Sequence, residues 1–232
     1  MDELRRVLAL IEAEGGPDAP VVFLGDYVDR GPDARGVLDR LSRGTVEGRP
    51  WTCLLGNHDR LFRTFLKDGA LRDGVLRPEY TWLAPATGGR TTLASYIDAT
   101  DVDWGDVETL HRAVSEAVPD HHRAFLDALR TMHVTDDHVF VHAGIRPGRP
   151  LTAQTEDDLV WIREPFLSDR RDHGRLVVHG HTVEDEATHH GNRLALDTGA
   201  AYGAPATAAL IRGRAAWALM PGGRVPLRPP GG

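Results

Sequence analysis

The sequence predicts an α/β protein, and two strand–loop–helix units near its N-terminus carry that prediction. In each unit a short apolar segment ends at a glycine, polar side chains follow, and a helical pattern comes next. The first apolar segment is Val21–Leu24 and the second is Trp51–Leu55. Two such units in succession are typical of parallel strands in one sheet. The carboxyl edge of such a sheet is where ligands bind.

The first unit is preceded by a predicted helix. Apolar residues repeat at helical spacing within Asp2–Glu14, and a glycine pair followed by Pro17 ends the pattern. After the first strand, the loop Gly25–Gly31 contains two aspartates and an arginine. A helix is predicted over Pro32–Leu41, since proline is favoured in the first helical turn.

The second unit leads into a long region of a different kind. Its strand is followed by Gly56-Asn57-His58-Asp59 and then by a predicted helix from Arg60 to Lys67. Between residues 69 and 130, prolines and paired glycines interrupt helical pieces such as Thr92–Ile97 and Asp120–Met132, and no strand pattern occurs. We interpret 69–130 as a mostly helical insertion beside the strand ends, where substrate specificity could be determined.

The C-terminal half predicts further strands. His138–Val141 ends in His142-Ala143-Gly144, and Leu176–Val178 ends in His179-Gly180-His181. Three short strands, separated by glycine turns and expected to be antiparallel, follow at Arg193–Leu196, Ala206–Ile211 and Ala215–Leu219. Residues 1–220 are therefore predicted to form one domain. Residues 221–232, rich in proline and glycine, are predicted to form a flexible tail.

The composition excludes several classes of protein. The 232 residues are 41% apolar, which is ordinary for a globular protein, and the formal net charge of -7 argues against a nucleic-acid-binding surface. Cys53 is the only cysteine, which excludes an intramolecular disulfide and fits a reducing compartment. No apolar run approaches the ~20 residues needed to span a bilayer. We therefore expect a cytoplasmic protein that binds neither nucleic acid nor membrane.

Four predicted strands end in side chains that can bind a metal ion. The candidate ligands are Asp26, Asn57, His142 and His181, with His179 as the alternative to His181. A mixture of carboxylate, amide oxygen and imidazole suits Mn²⁺, Fe or Zn²⁺, and the lack of thiolates argues against a structural zinc site. One histidine at a strand end is usually only hydrogen-bonded, but four candidate ligands in the same topological position make coincidence the weaker explanation.

Four motifs resemble, in the same order, those of the phosphoprotein-phosphatase family of calcineurin-like metallophosphoesterases. They are Gly25–Gly31, Gly56–Asp59, Val141–Gly144 and Gly180–Thr182. The first two are highly specific, the last two would be weak alone, and the resemblance covers nearly the whole chain. The chain is similar to bacterial and phage serine/threonine phosphatases and to diadenosine tetraphosphate hydrolases. The resemblance implies a metallophosphoesterase-like β-sandwich core flanked by helices.

The resemblance also implies a role for each ligand. Asp26 would bridge two metal ions, and Asn57, His142 and His181 would complete the shell of the second ion. For His179 we expect a structural role, and the remaining pairs of adjacent histidines are expected to be solvated, without assigned chemistry. These pairs are His121-His122 and His189-His190.

The catalytic and phosphate-binding roles follow from the same resemblance. His58 would protonate the leaving-group oxygen, oriented and kept basic by Asp29. Arg30 would bind phosphate oxygens, and Arg163 resembles the family's second phosphate-binding arginine. A guanidinium group suits a phosphoryl group geometrically, and a histidine paired with a carboxylate stays protonated near neutral pH.

One family motif has no counterpart in this sequence. The pattern Gly-Asp-x-His-Gly, which supplies the ligands of the first metal, and the strand before it are absent, so the first strand is missing. The family binds two ions, whereas a truly shortened chain would bind one. We favour a misassigned start codon or a fragment, because the apolar pattern within Asp2–Glu14 still suits a helix packed beneath such a strand. A truly shortened chain with one metal site, and a phosphate-binding regulatory protein without catalysis, stay open.

These observations predict a metal-dependent phosphoester hydrolase. The first choice is a serine/threonine protein phosphatase using Mn²⁺, with Fe or Zn²⁺ as alternatives, that acts on phosphorylated proteins or small phosphoesters. The second choice is a dinucleoside polyphosphate hydrolase acting on diadenosine tetraphosphate. From a different class, the alternative is a catalytically impaired metal- or phosphate-binding module.

Overall fold

The computed structural model describes residues 1–100 and 102–231, which contain ten strands and seven α-helices. The helices are α1 (Asp2–Gly15), α2 (Ala34–Val46), α3 (Asn57–Asp68), α4 (Gly89–Ala94), α5 (Val107–Ala117), α6 (Asp120–Ala128) and α7 (Glu156–Trp161). The strands are β1 (Val21–Phe23), β2 (Trp51–Cys53), β3 (Met132–Val134), β4 (His138–Val141), β5 (Leu176–His179), β6 (Thr188–His189), β7 (Arg193–Ala195), β8 (Ala209–Arg212), β9 (Ala215–Met220) and β10 (Gly223–Leu227).

The strands that end in candidate ligands run parallel in pairs. β1 pairs with β2 in parallel, as predicted, and β4 pairs with β5 in parallel inside a five-stranded sheet of order β3-β4-β5-β7-β6. Leu54, just past β2, bridges to Arg130, just before β3. This bridge links the two-stranded sheet to the five-stranded sheet. His142, at the end of β4, contacts the Leu24 carbonyl after β1 and Asn57 after β2, and its own carbonyl accepts the Gly180 N–H after β5, so the carboxyl ends of these four strands lie together.

A second layer completes a β-sandwich. β8, β9 and β10 form an antiparallel sheet, and apolar side chains of the five-stranded sheet pack against it in a core cluster. Leu176, Val178 and Leu194 are fully buried in this cluster, and Ala216 of β9 lies against them. A larger cluster lies between the sheets and the helices. The predicted α/β fold, a sandwich flanked by helices with a helical insertion, is confirmed.

The edge of β1 that faces away from β2 borders a large cavity. Among the described residues, β1 is hydrogen-bonded to a strand on one side only. A cavity of about 1030 Å³ lies along the other side, lined by apolar residues of α1, β4, β5 and β8, and the candidate site opens onto it. Leu4, Val7 and Ile11 of α1 are among the lining residues. Within the described residues, β1 is therefore an edge strand of its sheet, with a space along its free side.

Two predicted elements are wrong in their boundaries or partners. Helix α6 ends at Ala128 rather than at Met132, because Arg130 and Met132 take part in β-pairing with Leu54 and Val141. The strand predicted at Arg193–Leu196 is β7, which runs parallel to β5 rather than with the last strands. In both cases a distant strand partner outweighs the local pattern.

The predicted flexible tail is partly wrong as well. Residues 223–227 form β10, which pairs antiparallel with β9 through five residue pairs. Because β10 lies at the sheet edge, Pro226 costs no hydrogen bond inside the sheet. The composition of residues 221–232 therefore predicts a flexible segment where the structure has an edge strand. None of the helices in the described ranges is both long and apolar enough to cross a membrane.

Candidate active site

The loops after β1 and β5 have an unusual backbone. Four residues other than glycine have positive φ in the described part of the chain, namely Asp26, Asp29, Arg30 and His181, with φ between 59° and 72°. This conformation costs roughly 1–3 kcal/mol for each L-residue and persists only where the surroundings enforce it. All four were singled out as candidate site residues from the sequence. Backbone strain therefore marks the same positions as the motifs do.

Asp59 joins the loops after β1 and β2. Its carboxylate is fully buried and accepts N–H donors from Asp26, Tyr27 and Gly56 at 2.7–2.9 Å. Burial and the neighbouring Asp26 raise the pKa of Asp59 to about 7 despite these three donors. Gly56 must be glycine, because a Cβ there would collide with the Asp26 carboxylate. Asp59 lies within the motif Gly56–Asp59, but the family resemblance assigns it no role.

The four predicted ligands converge beside this junction. A carboxylate oxygen of Asp26 and ring nitrogens of His142 and His181 lie within 4.8 Å of one another. Asn57, which is the first residue of α3 rather than part of a loop, places Oδ1 3.0 Å from His142 Nε2. The second carboxylate oxygen of Asp26 accepts the His58 backbone N–H at 3.0 Å. The structure thus brings together side chains from the ends of β1, β2, β4 and β5.

The hydrogen bonds at this point fit a cation. His142 Nδ1 lies 2.7 Å from the Leu24 carbonyl and must carry the proton there, which leaves the Nε2 lone pair facing Asn57 Oδ1 and, at 3.4 Å, Asp26 Oδ2. A lone pair that faces two oxygen acceptors is repulsive unless a cation lies between them. His181 Nε2 is buried with no hydrogen-bond partner in the described chain.

The electrostatic surroundings of Asp26 and His181 favour the protonation states that bind a metal ion. Burial acts against the ionised form of Asp26, but His142, His58 and His181 outweigh it and lower the pKa of this carboxyl. Burial and the neighbouring His142 lower the pKa of His181 to about 2, so its imidazole is neutral at physiological pH. An ionised carboxylate, an amide oxygen and imidazole nitrogens form a suitable donor set for a divalent transition metal. These residues therefore fit the ion that the sequence analysis predicts.

His58 and Asp29 form a buried pair next to this donor set. His58 Nδ1 lies 2.5 Å from Asp29 Oδ2, and both side chains are nearly inaccessible to solvent. Burial opposes a charge on His58, but Asp26 and Asp29 outweigh it and raise the pKa of His58. Because Nδ1 is engaged by Asp29, Nε2 is the atom available to a substrate.

The two predicted phosphate-binding arginines border the same cavity. Arg30 donates to the Ala86 carbonyl at 3.1 Å and its guanidinium lies 5.0 Å from the centre of the Tyr202 ring. Arg163 follows α7 by two residues and its side chain is exposed to the cavity. Trp161, at the end of α7, packs edge-on against His181 at 5.9 Å between ring centroids. Two cationic groups therefore face the space in front of the ligands.

Comparisons with known proteins agree with this geometry. A search of curated proteins found no significant match, but the family model for calcineurin-like phosphoesterases matches residues 1–212. The chain belongs to the calcineurin-like phosphoesterase family. This confirms the predicted family, and membership assigns metal-dependent phosphoester hydrolysis to the chain.

Solved structures resemble this phosphoesterase in fold. A candidate diadenosine tetraphosphatase superposes with a TM-score of 0.59 at 19% identity, covering 99% of this chain and 88% of that one. The cold-active protein-tyrosine phosphatase of a psychrophile, Shewanella sp., gives a TM-score of 0.59 at 16% identity, covering 97% of this chain and 77% of that one. At these identities the likeness concerns the fold.

The insertion of this phosphoesterase supplies groups that the sequence analysis missed. Trp82 Nε1 donates to Asp29 Oδ2 at 2.8 Å, and Thr92 Oγ1 donates to Asp29 Oδ1 at 2.6 Å while accepting the Asp29 N–H at 2.8 Å. Trp82 and Thr92 are fully buried. No signal in the sequence pointed to them, because their partner lies more than fifty positions away. The insertion therefore fixes Asp29 rather than only lying beside the site.

The other histidines lie apart from the four ligands. His179 is buried and receives a hydrogen bond from Arg193 at 3.1 Å, while burial lowers its pKa to about 3. The expectation that the remaining pairs are solvated is wrong for one member of each, because His122 and His189 are buried. His122 is hydrogen-bonded to Asp39 and His189 to the Arg214 carbonyl. Both partners lie far away in the sequence, so short-range patterns do not reveal these contacts.

Proposed function

We propose that this phosphoesterase is a phosphomonoesterase of the serine/threonine protein phosphatase type. The observation that carries the proposal is the placement of the His58–Asp29 pair directly beside the four-ligand cluster, since the His58 backbone N–H donates to Asp26. A general acid, a donor set for a divalent ion and two arginines on one cavity are what hydrolysis of a phosphate ester requires.

Each residue has a defined task in this proposal. Asp26, Asn57, His142 and His181 would hold a divalent ion, which would supply Lewis-acid and water-activating chemistry. Arg30 and Arg163 bind the phosphoryl oxygens with their guanidinium groups. His58 donates the proton on Nε2 to the departing ester oxygen, and Asp29 stabilises the imidazolium until the transfer. We favour Mn²⁺ as the ion.

The first experiment tests the general acid. His58→Ala, assayed with an aryl phosphate whose leaving group is a poor one, should lower kcat by roughly 10²–10⁴-fold. With p-nitrophenyl phosphate, whose good leaving group needs little protonation, the loss should be much smaller. His190→Ala, a histidine paired with Glu184 outside the site, serves as the matched control. Equal losses with both leaving groups would contradict the assigned role.

Turnover at saturating metal separates an enzyme from an impaired binding module. With the four described ligands we expect one tightly bound ion in this chain at the Asp26 cluster, measurable by elemental analysis after dialysis. Turnover of an aryl phosphate at saturating Mn²⁺ supports the phosphatase. Binding of the ion with no turnover of any phosphoester would favour the metal- or phosphate-binding module instead.

A second candidate function has its own supporting observation. Tyr202 is 69% exposed at the cavity, next to the guanidinium of Arg30. An exposed aromatic ring beside a phosphate-binding arginine can stack on a nucleobase. This supports hydrolysis of a dinucleoside polyphosphate such as diadenosine tetraphosphate.

Tyr202→Ala distinguishes the two substrates. For a protein phosphatase the substitution should leave kcat/KM for a phosphoserine peptide within about three-fold. For a dinucleoside polyphosphate hydrolase it should raise KM for diadenosine tetraphosphate by roughly 5–150-fold, because one base loses about 1–3 kcal/mol of stacking. Direct comparison of the two substrates with the unmodified chain decides which one is preferred.

A further inference from the structure

A second cluster of potential metal ligands lies at the contact between α2 and α6. Asp39 of α2 faces His121 and His122, two adjacent residues in the first turn of α6, and we call these three residues the α2–α6 cluster. Asp39 Oδ1 lies 3.1 Å from His121 Nε2 and 2.9 Å from His122 Nε2. All three ligand atoms lie within 4.8 Å of one another.

The orientation of His122 is fixed from its other side. The side chain is fully buried, and Nδ1 lies 2.8 Å from the hydroxyl of Tyr96, which is itself buried. A phenolic oxygen can accept the Nδ1–H, which leaves the Nε2 lone pair directed at the cluster. This arrangement, in which an outer group holds the ring of a ligating histidine, is the usual support for a bound metal.

We propose that Asp39, His121 and His122 form a binding site for a divalent transition-metal ion of the Zn²⁺ class, separate from the Asp26 centre. Tetrahedral Zn²⁺ with bonds of about 2.0–2.1 Å places its ligand atoms roughly 3.3 Å apart. The two separations around Asp39 Oδ1 are within a few tenths of an ångström of that value. Two imidazoles and a carboxylate are borderline ligands that suit Zn²⁺.

The surroundings leave a fourth position open to water. The side chains of His121 and Asp39 are 55% and 42% exposed, so an ion can enter from solvent without opening the core. Arg35 of α2 is a cationic side chain close to the cluster, and its guanidinium lies over the Tyr96 ring, 5.9 Å from the ring centre. Arg35 repels a cation at the cluster, and the negative charge of Asp39 has to offset that repulsion.

An ion at this cluster would join two parts of the chain. Helix α2 follows the strained loop that contains Asp26 and Arg30, whereas α6 belongs to the insertion, whose Trp82 and Thr92 hold Asp29. Because the ion binds the folded chain and not separate helices, it stabilises the contact between the loop-bearing helix and the insertion by mass action. The inference is independent of the proposed phosphatase activity.

Metal binding by matched variants tests the proposal. Zn²⁺ binding to the metal-stripped chain is measured by calorimetry, and Co²⁺ binding by its visible absorption, which is intense only for tetrahedral sites. His121→Ala and Asp39→Asn should each remove one bound Zn²⁺, or weaken it at least ten-fold, and abolish the Zn²⁺-dependent rise in Tm. His142→Ala should leave this ion in place, since that substitution affects only the Asp26 centre.

The control and the contrary outcome follow from the same measurements. His190→Ala removes a histidine paired with a single carboxylate and should leave the stoichiometry unchanged. If His121→Ala and Asp39→Asn, with unaltered circular dichroism, bind as much Zn²⁺ as the unmodified chain and with the same affinity, the cluster is only a hydrogen-bonded one. That result would overturn the proposal.

Discussion

The strand ends and the helical insertion contribute to the candidate site in opposite ways. The strand ends carry the ligands and the strained residues. Asp26, Asp29 and Arg30, all in the loop after β1, have positive φ. The insertion, residues 69–130, carries no non-glycine residue with positive φ within its described part, but buries Trp82 and Thr92 against Asp29. Local motifs therefore supply the reactive groups, and a distant region fixes their orientation.

The strongest test on the strand-end side is Asp59→Ala. The substitution leaves the buried N–H groups of Asp26, Tyr27 and Gly56 without an acceptor. At about 1–3 kcal/mol for each unpaired group, we expect the free energy of unfolding to fall by more than roughly 3 kcal/mol, with loss of activity. Urea denaturation measures this change in the free energy of unfolding. The exposed Asp127→Ala should change stability by less than about 0.5 kcal/mol, and a similar effect for both would contradict the role of Asp59.

On the insertion side, Thr92→Val keeps the shape of the side chain and removes both hydrogen bonds to Asp29. We expect a loss of about 1–3 kcal/mol in stability, because the Asp29 N–H and Oδ1 lose buried partners. The kcat should fall about ten-fold with little change in KM, since His58 is no longer held in one orientation. Thr91→Val, whose hydroxyl bonds only to the Gly88 carbonyl, is the control and should retain kcat.

Trp82→Phe should have a smaller effect on stability than on catalysis. The phenyl ring keeps part of the contact with Phe62 and Phe65, but the N–H donor to Asp29 Oδ2 is lost. Because that same oxygen bonds to His58, the loss of a competing donor should raise the pKa of His58. The pH profile of kcat/KM would then shift its alkaline limb upward. An unchanged limb would show that the insertion does not tune the acid.

The smallest expected effect is the pH dependence of stability from His58. In the metal-free chain burial opposes the charge, but Asp26 and Asp29 raise the pKa of His58 above the unfolded value of about 6.5. A raised pKa in the folded state stabilises the protein fully below pH ~6.5, and this contribution is lost as pH rises through the folded pKa. Titration of His58 by NMR should give a pKa above the usual value, and Asp29→Asn should lower it.

The sequence predicted the strand-end residues well for a physical reason. Asp26, Asn57, His142 and His181 each follow a short apolar strand, and parallel strands bring their carboxyl ends to one edge. The same local logic failed for β3, β7 and β10, whose pairing partners are not encoded in their own residues. It also failed for Trp82, Thr92 and Tyr96, which act through contacts made only after folding. The ion's identity, the cytoplasmic location and the preferred substrate stay predictions.

The central claim is that the Asp26 cluster binds the ion on which phosphoester hydrolysis depends. The most direct measurement is Mn²⁺ titration of the metal-stripped chain with an aryl phosphate, alongside Asp26→Asn. We predict no turnover without the ion, saturable activation by Mn²⁺, and a loss of roughly 10³-fold in Asp26→Asn, equivalent to about 4 kcal/mol in the barrier. Turnover that is independent of divalent ions, or an Asp26→Asn variant as active as the unmodified chain, would contradict the claim.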